Sequence, residues 1–235
     1  MLFWEQFAPV LAAAFALVTL PGLAAHIAGP GSFADSTVIE TASAILFMLF
    51  LAIVSFGGVA ALGGRALPAA AFLRGGLAAA RPGLLAALVM GAVAMVGLIL
   101  LLLARGHPLD WLVRGAVTAT LIWLLATWLP AIPAAVVERL GPTDALRRAA
   151  VLTRRHRGRI VGVLAIGLLA LIPGAVLVNT VVFGPTATPE SAQAALAAMS
   201  VVNPGLWVGA LYELLALGVI ACLPPVIYVA LVRAQ

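Results

Sequence analysis

Six long apolar runs separated by short polar stretches set the pattern of this chain. They fall at about 7–28, 38–62, 83–104, 111–137, 160–182 and 205–232. Each is long enough to cross about 30 Å of hydrocarbon as an α-helix, which takes about 20 residues. None alternates with period two, so a barrel of ten-residue strands is not expected. The pattern predicts an all-α, polytopic membrane bundle of six transmembrane helices, one domain over residues 1–235. The first run has no basic residue before it, as a cleaved signal peptide would require, and is read as a helix.

Two further stretches are too apolar to be simple loops. Residues 67–80 read LPAAAFLRGGLAAA, and residues 142–155 read PTDALRRAAVLTRR. In the second, Gly141 suits a cap, Pro142 the first helical position and Asp144 the first turn. Arg147 and Arg154, and likewise Arg148 and Arg155, are spaced to return to one face. Both stretches are predicted to be amphipathic helices in the cytoplasmic interface, apolar side toward lipid. Arg65, Pro68, Arg74 and Arg81 recur 74 residues on as Arg139, Pro142, Arg148 and Arg155, which suggests a parallel internal repeat.

Composition agrees with a membrane protein: 64% of the residues are hydrophobic and 9% charged, against about 25% charged in soluble domains. That excludes a soluble enzyme and a disulfide scaffold. The net charge is +5, and all 13 basic residues are arginine. Eleven arginines fall on one side of a six-span topology, and only Arg105 and Arg114 on the other. The positive-inside rule then puts both termini in the cytoplasm, in a bacterial inner membrane. Because most arginines lie between spans, anionic lipid head groups are the expected partner, and nucleic acid is not. Head-group contact is assigned to Arg74, Arg81, Arg147, Arg148, Arg154 and Arg155. A membrane-protein partner or a second copy is also compatible.

The stretch Pro133-Ala-Ala-Val-Val-Glu138-Arg-Leu-Gly141-Pro-Thr-Asp-Ala145-Leu-Arg-Arg148, with Leu152-Thr153-Arg154, resembles a motif of bacterial multi-pass membrane proteins. These are similar to the membrane domain attached to some glycerophosphoryl diester phosphodiesterases. The ending Tyr228-Val-Ala-Leu-Val-Arg233 resembles that family's ending. Its members usually carry Ser where this chain has Ala149. The resemblance implies a six-helix membrane domain and no enzymatic activity, because the phosphodiesterase chemistry belongs to a soluble domain.

Chemistry is sparse. His26, His107 and His156 lack the companions that a helical metal site needs, and no catalytic residue, metal or cofactor is assigned. Cys222 is read as a small packed residue. Gly57-Gly58 and Gly63-Gly64 read as helix contacts or terminators. Pro130, Pro133, Pro173, Pro224 and Pro225 are expected to kink their spans. Glu213 is the exception, since an intramembrane carboxylate defaults to a functional hypothesis. It shares a face with Gly205 and Gly209, and its candidate partners are Arg114, Glu40 and His26. Two functions are expected: a non-enzymatic scaffold or lipid-organising module, or a small transporter or flippase-like protein.

The arginine split is checked by reporter fusions. A fusion after Arg233 should report from the cytoplasm and one near Arg105 from the opposite side; the reverse would overturn the topology.

Overall fold

The computed structural model describes residues 7–28, 37–65, 67–104, 110–184, 188, 191, 195, 199–200 and 202–235; for 25–28 and 37–40 it describes the backbone alone. All regular structure among them is helical, and six helices are long and apolar enough to cross a membrane. The chain is thus an all-α, multi-pass membrane bundle. Helix α1 runs continuously through Phe7–Ala14, a π-helical turn at Phe15–Thr19, and Leu20–Ala28. It is followed by α2 (Thr37–Leu62), α3 (Ala69–Leu103), α4 (Asp110–Trp128), α5 (Ala131–Glu138), α6 (Pro142–Thr153), α7 (Arg157–Phe183) and α8 (Pro204–Arg233).

Two elements depart from the expected division. Residues 67–80 are not a separate interfacial helix. They open α3, a single helix of 35 residues that runs through Pro82. Pro82 cannot donate to the carbonyl of Ala78, four residues back. Ala78 is exposed, so that carbonyl is open to water or head groups. At 1.5 Å per residue α3 is about 52 Å long, well beyond the hydrocarbon thickness. Arg74 and Arg81, in its first part, are both exposed. The fourth span is divided instead: α4 stops at Trp128, and α5 starts after Pro130. The other prolines, Pro173, Pro224 and Pro225, lie inside unbroken helices.

Helix α6 forms as its sequence predicts, with Gly141 at the N-cap, Pro142 in the first turn and Asp144 beside it. Its apolar side is covered only in part, with Ala149 buried and Val151 exposed. Ala145 is buried against Ala86 and Ala135, and Leu152 joins a core with Ala126, Ile160, Ile227 and Tyr228. An amphipathic stretch buries its apolar stripe wherever one is offered, and here the ends of α3, α4 and α5 offer it. The 74-residue echo therefore holds at Pro68 and Pro142, which both open helices, and ends where α6 stops and α3 continues.

Packing is concentrated in the arginine-rich half. In α3 the buried positions run from Phe72 to Ala87, with only Gly97 beyond. In α4 they are Ala126 and Thr127, in α7 Ile160 alone, and in α8 mostly Gly218 to Leu231. Small residues make this possible. A Cβ on Gly57 would collide with the ring of Phe72, and one on Gly76 would lie 2.8 Å from Ile53. Helix α2 then ends in a Schellman motif: Gly64, at φ +83, lets its N–H and that of Arg65 reach back to Ala61 and Ala60. The sequence reading of both glycine pairs holds, since Gly58 likewise faces Pro225. Cys222 is buried, as expected.

The α2–α3 contact yields a stability prediction. Gly57→Ala should cost about 1–3 kcal/mol through overpacking. With Phe72→Leu added, the pair should cost less than the sum of the two single changes, because the shorter side chain leaves room. Thermal unfolding in detergent measures this; simple additivity would contradict the close approach.

Candidate functional site

The arginine-rich end is organised by side-chain contacts between helices. Glu138, the last residue of α5, accepts a 2.7 Å hydrogen bond from the Tyr228 hydroxyl of α8 and a 3.2 Å bond from Arg148 Nε of α6. The two stretches that carry the family resemblance thus meet at one carboxylate. After Glu138 the chain turns through Arg139, whose φ of 54 is left-handed and strained for a side-chain-bearing residue. Leu140 and Gly141 complete the corner before Pro142 starts α6.

Thr153 closes the other end of α6. Its buried hydroxyl donates to the Ala149 carbonyl at 2.9 Å and lies 3.3 Å from that of Thr127. The Thr127 carbonyl sits at the end of α4, where helical donors run out. A three-residue turn, Arg154–His156, then leads into α7, with the His156 N–H bonded to the Thr153 carbonyl at 2.8 Å. Arg157 stacks its guanidinium 4.4 Å from the centre of the Trp123 ring. Its Nε is buried with no hydrogen-bond acceptor among the described residues, so the ring face is its counterpart. Arg233 reaches from α8 to the Leu62 carbonyl at 2.6 Å and satisfies a helix C-terminus with a cation.

These contacts present a basic turn beside an apolar groove. A pocket of about 390 Å³ is lined by Arg154, Arg155, His156, Val151, Leu152 and the end of α8. A second, of about 210 Å³, runs between α7 and α8 and is lined by Arg159, Ile160, Val163, Ile227 and Ala230. The two share His156, Leu231 and Ala234, so they adjoin.

The residues assigned to head groups divide accordingly. Arg154 and Arg155 are exposed and line the pocket. Arg74, Arg81 and Arg147 are exposed and lie outside both pockets. Arg148 is only partly exposed and its Nε is committed to Glu138. His156 and Arg159, which line the site, were missed because spacing on a continuous helix does not show the turn at Arg154–His156.

Glu213 lies in the other half. It is exposed and lines a cleft of about 420 Å³ formed by α1, α7 and α8. Gly209 lines it too, so part of the expected shared face is present; Gly205 instead lies near Val182, Asn203 and Met199. The pair with Arg114 does not form: Arg114 Nε binds Asp110 at 2.6 Å, one turn earlier on α4. A local partner four residues away costs less chain entropy than a distant one. Glu40 and His26 lie outside the described side chains. No group of three metal-ligating side chains occurs among the described residues. No family model, curated protein or solved structure matches the chain.

The Glu138 cluster generates the next prediction. Tyr228→Phe should destabilise the protein by about 1.5 kcal/mol, the lower range for a hydrogen bond to a charged group, because Glu138 keeps Arg148. Glu138→Ala should cost more, since Tyr228 and Arg148 both lose their acceptor. Equal stability of Tyr228→Phe and the parent protein in a thermal melt would contradict the role given to this bond.

Proposed function

We propose that this protein is a non-enzymatic, lipid-organising module of a bacterial cytoplasmic membrane that holds anionic phospholipid at its cytoplasmic face. The observation that carries the reading is the junction of the basic pocket at Arg154–His156 with the apolar groove between α7 and α8. A phospholipid has this same division, an anionic head beside an acyl chain. Basic pockets between transmembrane helices on the cytoplasmic side suit such head groups. The eleven-to-two arginine split supports the orientation, with the arginine-rich end inward. The resemblance of the Pro133–Arg154 and Tyr228–Arg233 stretches to a bacterial membrane domain supports the setting. A partner protein or second copy fits the same role.

The transporter or flippase-like reading draws support from the cleft at Glu213. Against it stands the filled interior toward the arginine-rich end, where Val10, Ala13, Phe50, Val54 and Ala221 form a close core.

The test is retention of phosphatidylglycerol over phosphatidylcholine by the full chain in mild detergent, read by native mass spectrometry. The triple change R154Q/R155Q/R159Q should abolish the preference, at about 1 kcal/mol of attraction per arginine. The charge-matched control R74Q/R81Q/R147Q should retain most of it. Equal losses in both triples would reduce the site to diffuse surface charge, and no loss in either would refute it.

A further inference from the structure

The cleft in the half away from the arginine-rich end has features that neither packing nor the lipid site explains. Its walls are apolar, from Val18, Leu23, Val178, Phe183 and Leu206, and four polar side chains are set into them. Glu213 and Asn179 have no hydrogen-bond or ion-pair partner among the described residues. Thr19 is buried, and its hydroxyl likewise has no partner. Tyr212 donates to the Leu171 carbonyl at 2.6 Å and so fixes α8 against α7. The ring lies against Gly174, where a Cβ would come within 2.7 Å of it.

The backbone at Thr19 is unusual as well. Phe15–Thr19 is a π-helical turn, with the Leu20 N–H bonded to the Phe15 carbonyl. Such one-residue insertions into α-helices occur mostly at functional sites. Glu213 lies nine residues into α8, about 13 Å along its axis. A carboxylate at that depth is costly without a cation or hydrogen-bond donors around it. The candidate cation named from the sequence, Arg114, is already bound to Asp110.

We propose that this cleft is a binding site for an amphiphile with an ammonium head, held by Glu213 with Asn179 and Thr19 beside it and the chain along the apolar walls. A volume of about 420 Å³ lies within the range of about 300–1,000 Å³ of small-molecule sites. A few placed polar groups in an apolar wall are the usual composition of such sites. The ammonium supplies the countercharge that Glu213 lacks. The bilayer itself offers this head group on phosphatidylethanolamine, and a diffusible lipophilic amine offers it as well. The site shares no residue with the basic pocket, so its fate is independent of the proposed function.

The test uses the full chain in mild detergent, with dodecylamine as probe and dodecanol as the uncharged control of equal chain length. Binding is read by native mass spectrometry. Dodecylamine should bind about tenfold tighter than dodecanol. Glu213→Gln should erase that difference and leave dodecanol binding unchanged. Gly209→Leu should weaken both probes, because Gly209 lines the cleft and a Cβ there meets nothing within 4 Å. Competition by phosphatidylethanolamine would identify the bilayer lipid as occupant; no competition would identify a diffusible amine. Equal binding of amine and alcohol, or amine binding unchanged in Glu213→Gln, would overturn the proposal.

Discussion

The carboxylate of Glu138 holds three helices at one point. It ends α5, accepts from Tyr228 of α8 and pairs with Arg148 of α6. In hydrocarbon, apolar side chains gain nothing by leaving lipid for one another, so close packing and polar contacts decide which helices meet and in what register. Other polar contacts follow the same logic at the same end. Thr153 ties α6 to α4, Arg157 ties α7 to α4 through Trp123, and Arg233 ties α8 to α2. The strained corner at Arg139 is tolerated because Glu138 before it and α6 after it are both anchored.

From that anchoring follows the division of the molecule. Where the helices are tied, small residues bring backbones together: Gly57 and Gly76 between α2 and α3, and Gly58 against Pro225 of α8. Away from it α7 and the far parts of α3 and α4 turn large side chains outward, among them Ile166, Leu169, Leu177, Leu103 and Trp111. The bundle therefore presents two different concave surfaces. One is a basic turn with an adjoining groove at the tied end; the other is an apolar cleft with isolated polar groups at the looser end.

The six apolar runs were legible because hydrocarbon imposes one length and one backbone on whatever crosses it. The start of α6 was legible because Gly141, Pro142 and Asp144 report local backbone chemistry. The α2 terminator was legible for the same reason, in Gly63 and Gly64. What a helix face packs against is not local, so the covering of Ala145 in α6 by Ala86 and Ala135 left no sign in the stretch that was assigned to lipid. The merger of residues 69–80 with the third span was hidden because Pro82 reads as a breaker, yet the carbonyl it strands is on an exposed turn. Glu213 was found by its cost, but its surroundings were not: Thr19 and Asn179 carry no sequence signal, and the π-helical turn that accompanies Thr19 leaves no pattern in Phe15–Thr19.

The central claim is that Glu138 positions the proposed lipid site at a distance. Glu138 lines neither the basic pocket nor the groove, so any effect of changing it on lipid must act through α6 and α8. The direct measurement is phosphatidylglycerol retention by Glu138→Ala, compared with the parent protein at a temperature where both remain folded. The account predicts a clear loss of anionic-lipid preference although every pocket arginine is intact. Full retention in the folded variant would contradict it.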